Sequence, residues 1–154
     1  MDICELITPE CVVANLKATS KKQALQELSK KMAEISGRSE REIFDVLLER
    51  ERLGTTGVGR GIAIPHGKLA ELDRLYGMFA RLHNPVEFDA IDDEPVDLMF
   101  LLLAPENAGA EHLKALARVS RLLRDQATCG KLRGSEDPDA IFALLNQEPA
   151  AAAG

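Results

Sequence analysis

The run Gly61-Ile62-Ala63-Ile64-Pro65-His66-Gly67-Lys68 places one imidazole straight after a short apolar segment and between two residues that shape the backbone. Pro65 fixes φ and stops the strand expected over Ile62 to Pro65 from continuing, and Gly67 lets the chain turn away. A histidine at such a strand-to-loop junction is either structural or a reactive side chain displayed from a rigid scaffold. Its neutral ring is a nucleophile near physiological pH, with an ordinary pKa of about 6.5. Phosphoryl acceptance suits it. One ring nitrogen donates its N–H to a fixed acceptor, such as a backbone carbonyl of the adjacent turn, and the other carries the lone pair.

Upstream lies Gly54-Thr55-Thr56-Gly57-Val58-Gly59-Arg60-Gly61. It matches neither G-x-x-x-x-G-K-[ST] nor G-x-G-x-x-G, so it does not read as a nucleotide loop. It is either a plain flexible turn or a cradle whose amides and threonine hydroxyls meet a phosphoryl group. Arg50 and Arg52 close the preceding helix. They complement its dipole, or one of them pairs with phosphoryl oxygens through its planar fork. His112 opens a later helix, where a positive charge is mildly unfavourable and a solvent-facing ring is the plain expectation. A functional role requires it to fold beside His66, which spacing cannot show. His83 reads as an exposed turn residue at a strand end. No pair among the histidines and the three cysteines has ligand-type spacing, so no metal site is expected.

The elements that position these residues follow from apolar spacing and punctuation. Val12 to Leu16 is a short β-prone run. Ser20 with Gln23, and Ser39 with Glu42, are capping patterns in front of two amphipathic helices, the first stopping at Gly37 and the second near Arg50–Leu53. Strands are expected over Ile62 to Pro65 and Tyr76 to Leu82, with a polar turn region holding at most a short strand over Val86 to Glu94. Val96 to Leu103, between Pro95 and Pro105, reads as a strand buried on both faces. Glu111 to Arg124 is the strongest helix, with Leu113, Leu116, Ala117, Leu122 and Leu123 on its apolar side. A short helix over Thr128 to Arg133 follows, and Asp137-Pro138 opens a last one to about Asn146. The order predicts a single α/β domain, residues 1–148, with one mixed sheet and helices packed on its faces. A disordered small-residue tail is expected over 149–154.

The chain has 154 residues, enough for one sizeable core. Aromatics are 4% and Trp is absent, so the core is aliphatic and base-stacking surfaces are not on offer. Lys plus Arg number 19 against 25 for Asp plus Glu, a net charge of −6, which argues against nucleic acid as a partner. The N-terminus lacks a secretory pattern, and Leu98 to Ala104 is too short to span a bilayer. The unpaired cysteine count fits reduced thiols, so a cytoplasmic protein without membrane insertion is expected.

The chain also resembles the fructose/mannitol-type enzyme IIA family of the bacterial phosphotransferase system, and within it the nitrogen-regulatory branch. The resemblance rests on Glu49-Arg50-Glu51, Gly54 to Gly59 and Gly61 to Lys68. It continues in Phe88-Asp89-Ala90-Ile91-Asp92, Pro95-Val96-Asp97-Leu98, Ala104-Pro105 and His112-Leu113. It implies a sheet of about five strands between helices, with His66 phosphorylated at Nε2. Arg50 would be the active-site arginine and His112 the second active-site histidine, not itself phosphorylated. Thr55 or Thr56 would supply a hydroxyl, and the Gly57 amide would help to contact the phosphate. Arg60 has no family match. The implied donor is a histidine-containing phosphocarrier protein charged from phosphoenolpyruvate through an enzyme I, and no cofactor is called for. The regulatory branch implies targets such as potassium transporters, sensor kinases or stringent-response enzymes. The alternative within the family is a sugar-specific IIA that passes the phosphoryl group to a IIB component.

Overall fold

In chain order, the elements are β1 (Val12–Leu16), α1 (Lys21–Ser36), α2 (Glu40–Leu53), β2 (Gly57–Gly59), β3 (Ile62–Ala63) and β4 (His66–Leu69). Then come β5 (Tyr76–Val86), β6 (Val96–Pro105), α3 (Ala110–Arg124), α4 (Gln126–Arg133) and α5 (Pro138–Leu145). The computed structural model describes residues 1–147, and the tail expected over 149–154 lies outside them. Caps set the helix starts. The Ser20 and Ser39 hydroxyls accept from the amides of Gln23 and Glu42, and the Asp137 carboxylate accepts from the Asp139 amide behind Pro138. The Gln23 side chain does not close the box onto Ser20; it accepts from the amide and hydroxyl of Thr19.

The sheet runs β1-β5-β6-β3-β2, with β4 also paired to β6. β5 and β6 are antiparallel, and β1 joins β5 in parallel. The expected strand over Ile62 to Pro65 is in fact two. β3 pairs Ile62 with Leu98 and Ala63 with Met99, and β4 pairs His66 with Leu102 through to Leu69 with Pro105. Ile64 and Pro65 interrupt one track along β6, because proline has no N–H to give the ladder. The Pro65 carbonyl still accepts from Leu102, so the track resumes. Six strands thus occupy five tracks, and His66 begins a strand instead of ending one.

Alternation along β5 and β6 divides the core between two faces. Met78, Ala80, Met99 and Leu101 pack with α1 and α2. Phe79, Leu98, Phe100 and Leu102 pack with α3, α4 and α5. β6 is buried from Leu98 through Ala104, as a strand covered on both sides must be. Three local expectations are corrected. β5 extends to Val86, so His83 lies within it, exposed and bonded to Asn15, not in a turn. No strand forms in the segment after Val86 up to Glu94. On α3 the buried stripe is His112, Ala115, Arg118, Val119, Leu122 and Leu123, whereas Leu113 is 67% exposed and Ala117 also faces outward.

Gly67 fixes how closely β4 approaches α2. A Cβ there would stand 2.3 Å from Cγ1 of Val46. Val46 is β-branched and has one favoured helical rotamer, so it cannot swing aside freely. Gly67→Ala is expected to lower stability by about 1–3 kcal/mol, the usual cost of overpacking. Urea denaturation reads this, and adding Val46→Ala is expected to restore part of the loss.

Candidate functional site

The close seating of β4 on α2 brings the end of that helix to His66. The His66 Nδ1 lies 2.9 Å from the Ile64 carbonyl oxygen. A carbonyl can only accept, so Nδ1 carries the proton and the neutral ring has its lone pair on Nε2. Arg50 Nε donates to that Nε2 at 3.3 Å, and Arg50 Nη1 donates to the Gly54 carbonyl at 2.8 Å. Arg50, rather than Arg52, is the arginine that reaches the ring; Arg52 is exposed on the same helical turn.

The first turn of α3 adds the second histidine. The His112 ring centroid is 5.6 Å from that of His66, with the planes tilted by 52°. His112 is 7% exposed, so the expectation of a solvent-facing ring fails. Its buried Nδ1 has no hydrogen-bond partner among the described residues. A buried polar atom without a partner is costly unless something else meets it. Together with Leu53, Lys68 and Glu49, the three groups line one open groove. Leu53, 82% exposed, gives this groove an apolar side.

The glycine loop does something other than expected. Thr55 Oγ1 donates to the Phe88 carbonyl at 2.7 Å and accepts from the Gly57 amide at 3.0 Å. Thr56 is buried; its amide donates to the Glu51 carboxylate at 2.9 Å and its hydroxyl donates to the same group. None of Thr55, Thr56 and Gly57 lines the His66 groove. These donors tie the loop to Phe88 and to Glu51 at the end of α2.

Glu51 is the residue that motif reading leaves without a role. Its carboxylate is buried, accepts from Thr56 and pairs with Lys21 Nζ at 2.8 Å. Lys21 Nζ also donates to the Phe88 carbonyl, so one network ties the start of α1, the end of α2 and the loop together. An acid in the last turn of a helix opposes the helix dipole, and that misplacement is the sequence signal that could have flagged it. By fixing the turn after Arg50, the network steadies the guanidinium that faces His66.

Both histidines are held below the ordinary 6.5. Burial is the main cause for His66; the Ile64 bond and the Glu51 charge pull upward and Arg50 pulls downward. Burial also leads for His112, followed by the charges of His66 and Lys68. Two neutral imidazoles therefore face each other at neutral pH, and Nε2 keeps its lone pair there. The linkage has a definite sign. With folded pKa values below the unfolded value, the unfolded chain binds more protons in the window beneath about 6.5. The stability held by the two neutral rings is full above that window and is lost as pH falls through it. NMR titration of the ring protons is expected to give midpoints below 6.5 for both; a midpoint above it for either would contradict this reading.

Among the described residues, no group of three or more histidine, cysteine or acidic side chains is placed to hold a metal ion. Nor is any helix there long and apolar enough to cross a membrane.

Residues 5–148 match the family described as phosphoenolpyruvate-dependent sugar phosphotransferase system, EIIA 2. The chain is 59% identical over 153 residues to a nitrogen regulatory protein of Bradyrhizobium diazoefficiens, covering 99% of this chain and 100% of that one. It is 32% identical over 148 residues to a fructose-specific EIIABC component of the phosphotransferase system of Bacillus subtilis, covering 96% of this chain and 23% of that one. The fold is similar to the crystal structure of nitrogen regulatory protein IIA-Ntr from Neisseria meningitidis, with a TM-score of 0.88 and 36% identity, covering 93% and 98% of the two chains.

Proposed function

The chain belongs to the EIIA 2 family of the phosphoenolpyruvate-dependent sugar phosphotransferase system, and we propose that it accepts a phosphoryl group on Nε2 of His66. The donor is a histidine-containing phosphocarrier protein, and the output is regulatory, read from the phosphorylation state. The observation that carries this is the pair of bonds on one ring: Nδ1–H on the Ile64 carbonyl and Nε2 facing Arg50. The first fixes which nitrogen is nucleophilic. The second puts a guanidinium beside Nε2, which supports a role for Arg50 in meeting the oxygens of an incoming phosphoryl group.

In the transfer, the bond between phosphorus and the donor's ring nitrogen breaks as the bond to Nε2 forms. The electron pair of the broken bond stays on the donor nitrogen, and the lone pair of His66 makes the new one. Arg50 swings its fork from Nε2 to the phosphoryl oxygens while Nη1 keeps its hold near Gly54. Nδ1 retains its proton, so the phosphorylated ring carries positive charge and remains a good leaving group for onward transfer. His112, whose ring centroid lies 5.6 Å from that of His66 and whose buried Nδ1 has no partner among the described residues, is a further group that would donate to the oxygens. Positioning and charge stabilisation do most of the work, as in other phosphoryl transfers. The phosphoryl oxygens bring about two negative charges, and with the ring now cationic the groove gains about one net negative charge. Partners such as transporters, sensor kinases or stringent-response enzymes would distinguish the two forms by that charge.

Identity to the nitrogen regulatory relative, well above that to the fructose-specific one, favours the regulatory reading. The test is a phosphorylation assay with phosphoenolpyruvate, enzyme I and carriers of both the nitrogen and the sugar type. Faster transfer from the nitrogen-type carrier is expected. Preference for the sugar-type carrier, with onward transfer to a IIB protein, would favour a role in carbohydrate uptake instead.

A further inference from the structure

A second cleft, of about 520 Å³, lies between the β2–β3 corner and α3. It shares no lining residue with the His66 groove. Its floor is apolar, with Ile62 and Ile64 from the sheet side and Leu123 from the helix. Arg60 and Arg124 line it as well. Among the described residues, neither arginine has a carboxylate within ion-pair distance.

Arg60 is also held in a backbone conformation that a long side chain rarely adopts, with φ at +58°. Three side chains clamp it there. The Asp92 carboxylate accepts from the Arg60 amide at 2.8 Å, and Arg133 Nη2 donates to the Arg60 carbonyl at 2.7 Å. Arg133 is in turn held by a two-pronged bond to Asp97 at 2.8 and 3.0 Å. The scaffold fixes the backbone of residue 60 and makes no use of its guanidinium, which stays exposed. The positive φ of Arg60, followed by that of Gly61, is what the two-residue turn from β2 to β3 requires. Arg124 taken alone complements the C-terminal end of α3, but that does not account for Arg60.

The sheet supplies the third element. β2 is a three-residue outer strand that pairs with β3 alone among the described residues; its register shifts between Gly57 and Gly59, the Gly57 amide is held by Thr55, and its middle residue, Val58, is 52% exposed beside the cleft. An open strand edge accepts an added strand through main-chain bonds, and adjacent pockets select its side chains.

We propose that this cleft docks an extended segment of a partner protein, which pairs with the edge of β2, sets apolar side chains on Ile62, Ile64 and Leu123, and places carboxylates on Arg60 and Arg124. Opposite charge selects the partner's chemistry: the two cations have no acid of their own, so the segment is acidic between its apolar anchors. The proposal does not depend on His66 being phosphorylated.

The probe is an acetylated, amidated hexapeptide alternating aspartate and leucine, titrated into the ¹⁵N-labelled full chain. Shifts are expected at residues 57–64 and 117–124, weakening with added salt. Arg60→Asn suits the left-handed backbone and removes the charge, and Arg124→Gln removes the other. Each is expected to weaken binding about two- to fivefold, the range for exposed ion pairs, with the urea midpoint held. A peptide with lysine in place of aspartate is expected not to bind. Absence of shifts at millimolar peptide, shifts confined to other surfaces, equal binding of the lysine peptide, or unchanged affinity in both variants would each overturn the proposal. So would concentration-dependent shifts at the same residues without peptide, with a dimer in sedimentation, since the occupant would then be a second copy.

Discussion

A His66→Gln protein is expected to take up no phosphoryl group from phosphoenolpyruvate, enzyme I and the carrier, while remaining folded. Glutamine keeps a polar side chain that can accept from Arg50, so the groove is not emptied, but it has no nucleophilic nitrogen. The ring is half-buried and makes two bonds, so the stability change is expected to stay near 1 kcal/mol. Mass spectrometry of the incubated protein reads the phosphate, and urea denaturation reads the fold. Labelling that persists in the folded variant would place the acceptor elsewhere.

Arg50→Ala is expected to have the next largest effect. It removes the donor at 3.3 Å from Nε2 and the hold on the Gly54 carbonyl. Loss of one positioned donor from a charge-stabilising site commonly costs about 10²–10³ in rate, and transfer to His66 is expected to slow by that order. A second readout separates electrostatics from simple misfolding. The Arg50 cation holds the His66 pKa down, so its removal is expected to move the His66 midpoint upward. Arg50→Lys keeps the charge without the planar fork and is expected to fall between the two in rate, with the midpoint still depressed. Wild-type transfer in Arg50→Ala would remove this side chain from the site.

Much of the frame was legible in the sequence because the signals are local. Ser20, Ser39 and Asp137-Pro138 announce helix starts through bonds made within a few residues, and all three were found there. The run that begins after Pro95 proved to be a strand buried from Leu98 through Ala104. The tautomer of His66 was half legible too, since a carbonyl two residues away is a local partner. What stayed hidden depends on tertiary contact. Helical spacing cannot say that Arg50 rather than Arg52 turns toward β4, because Gly67 and Val46 decide how the two elements meet. Nor can it bring His112 across to His66. Apolarity marked only part of the face of α3: Leu116, Leu122 and Leu123 do turn inward, but the same side carries His112 and Arg118 while Leu113 and Ala117 are left outside. The loop threonines looked free for a ligand until Glu51, five residues before Thr56, was seen to occupy one of them.

Phosphorus is expected to bond to Nε2 of His66. The most direct test is two-bond ¹H–¹⁵N correlation NMR of the labelled chain after phosphorylation through enzyme I and the carrier. The predicted result is a single phosphohistidine at residue 66, with Nε2 shifted by phosphorus and Nδ1 still protonated on the Ile64 carbonyl. Phosphorus on Nδ1 of His66, or on His112 or His83, would contradict it.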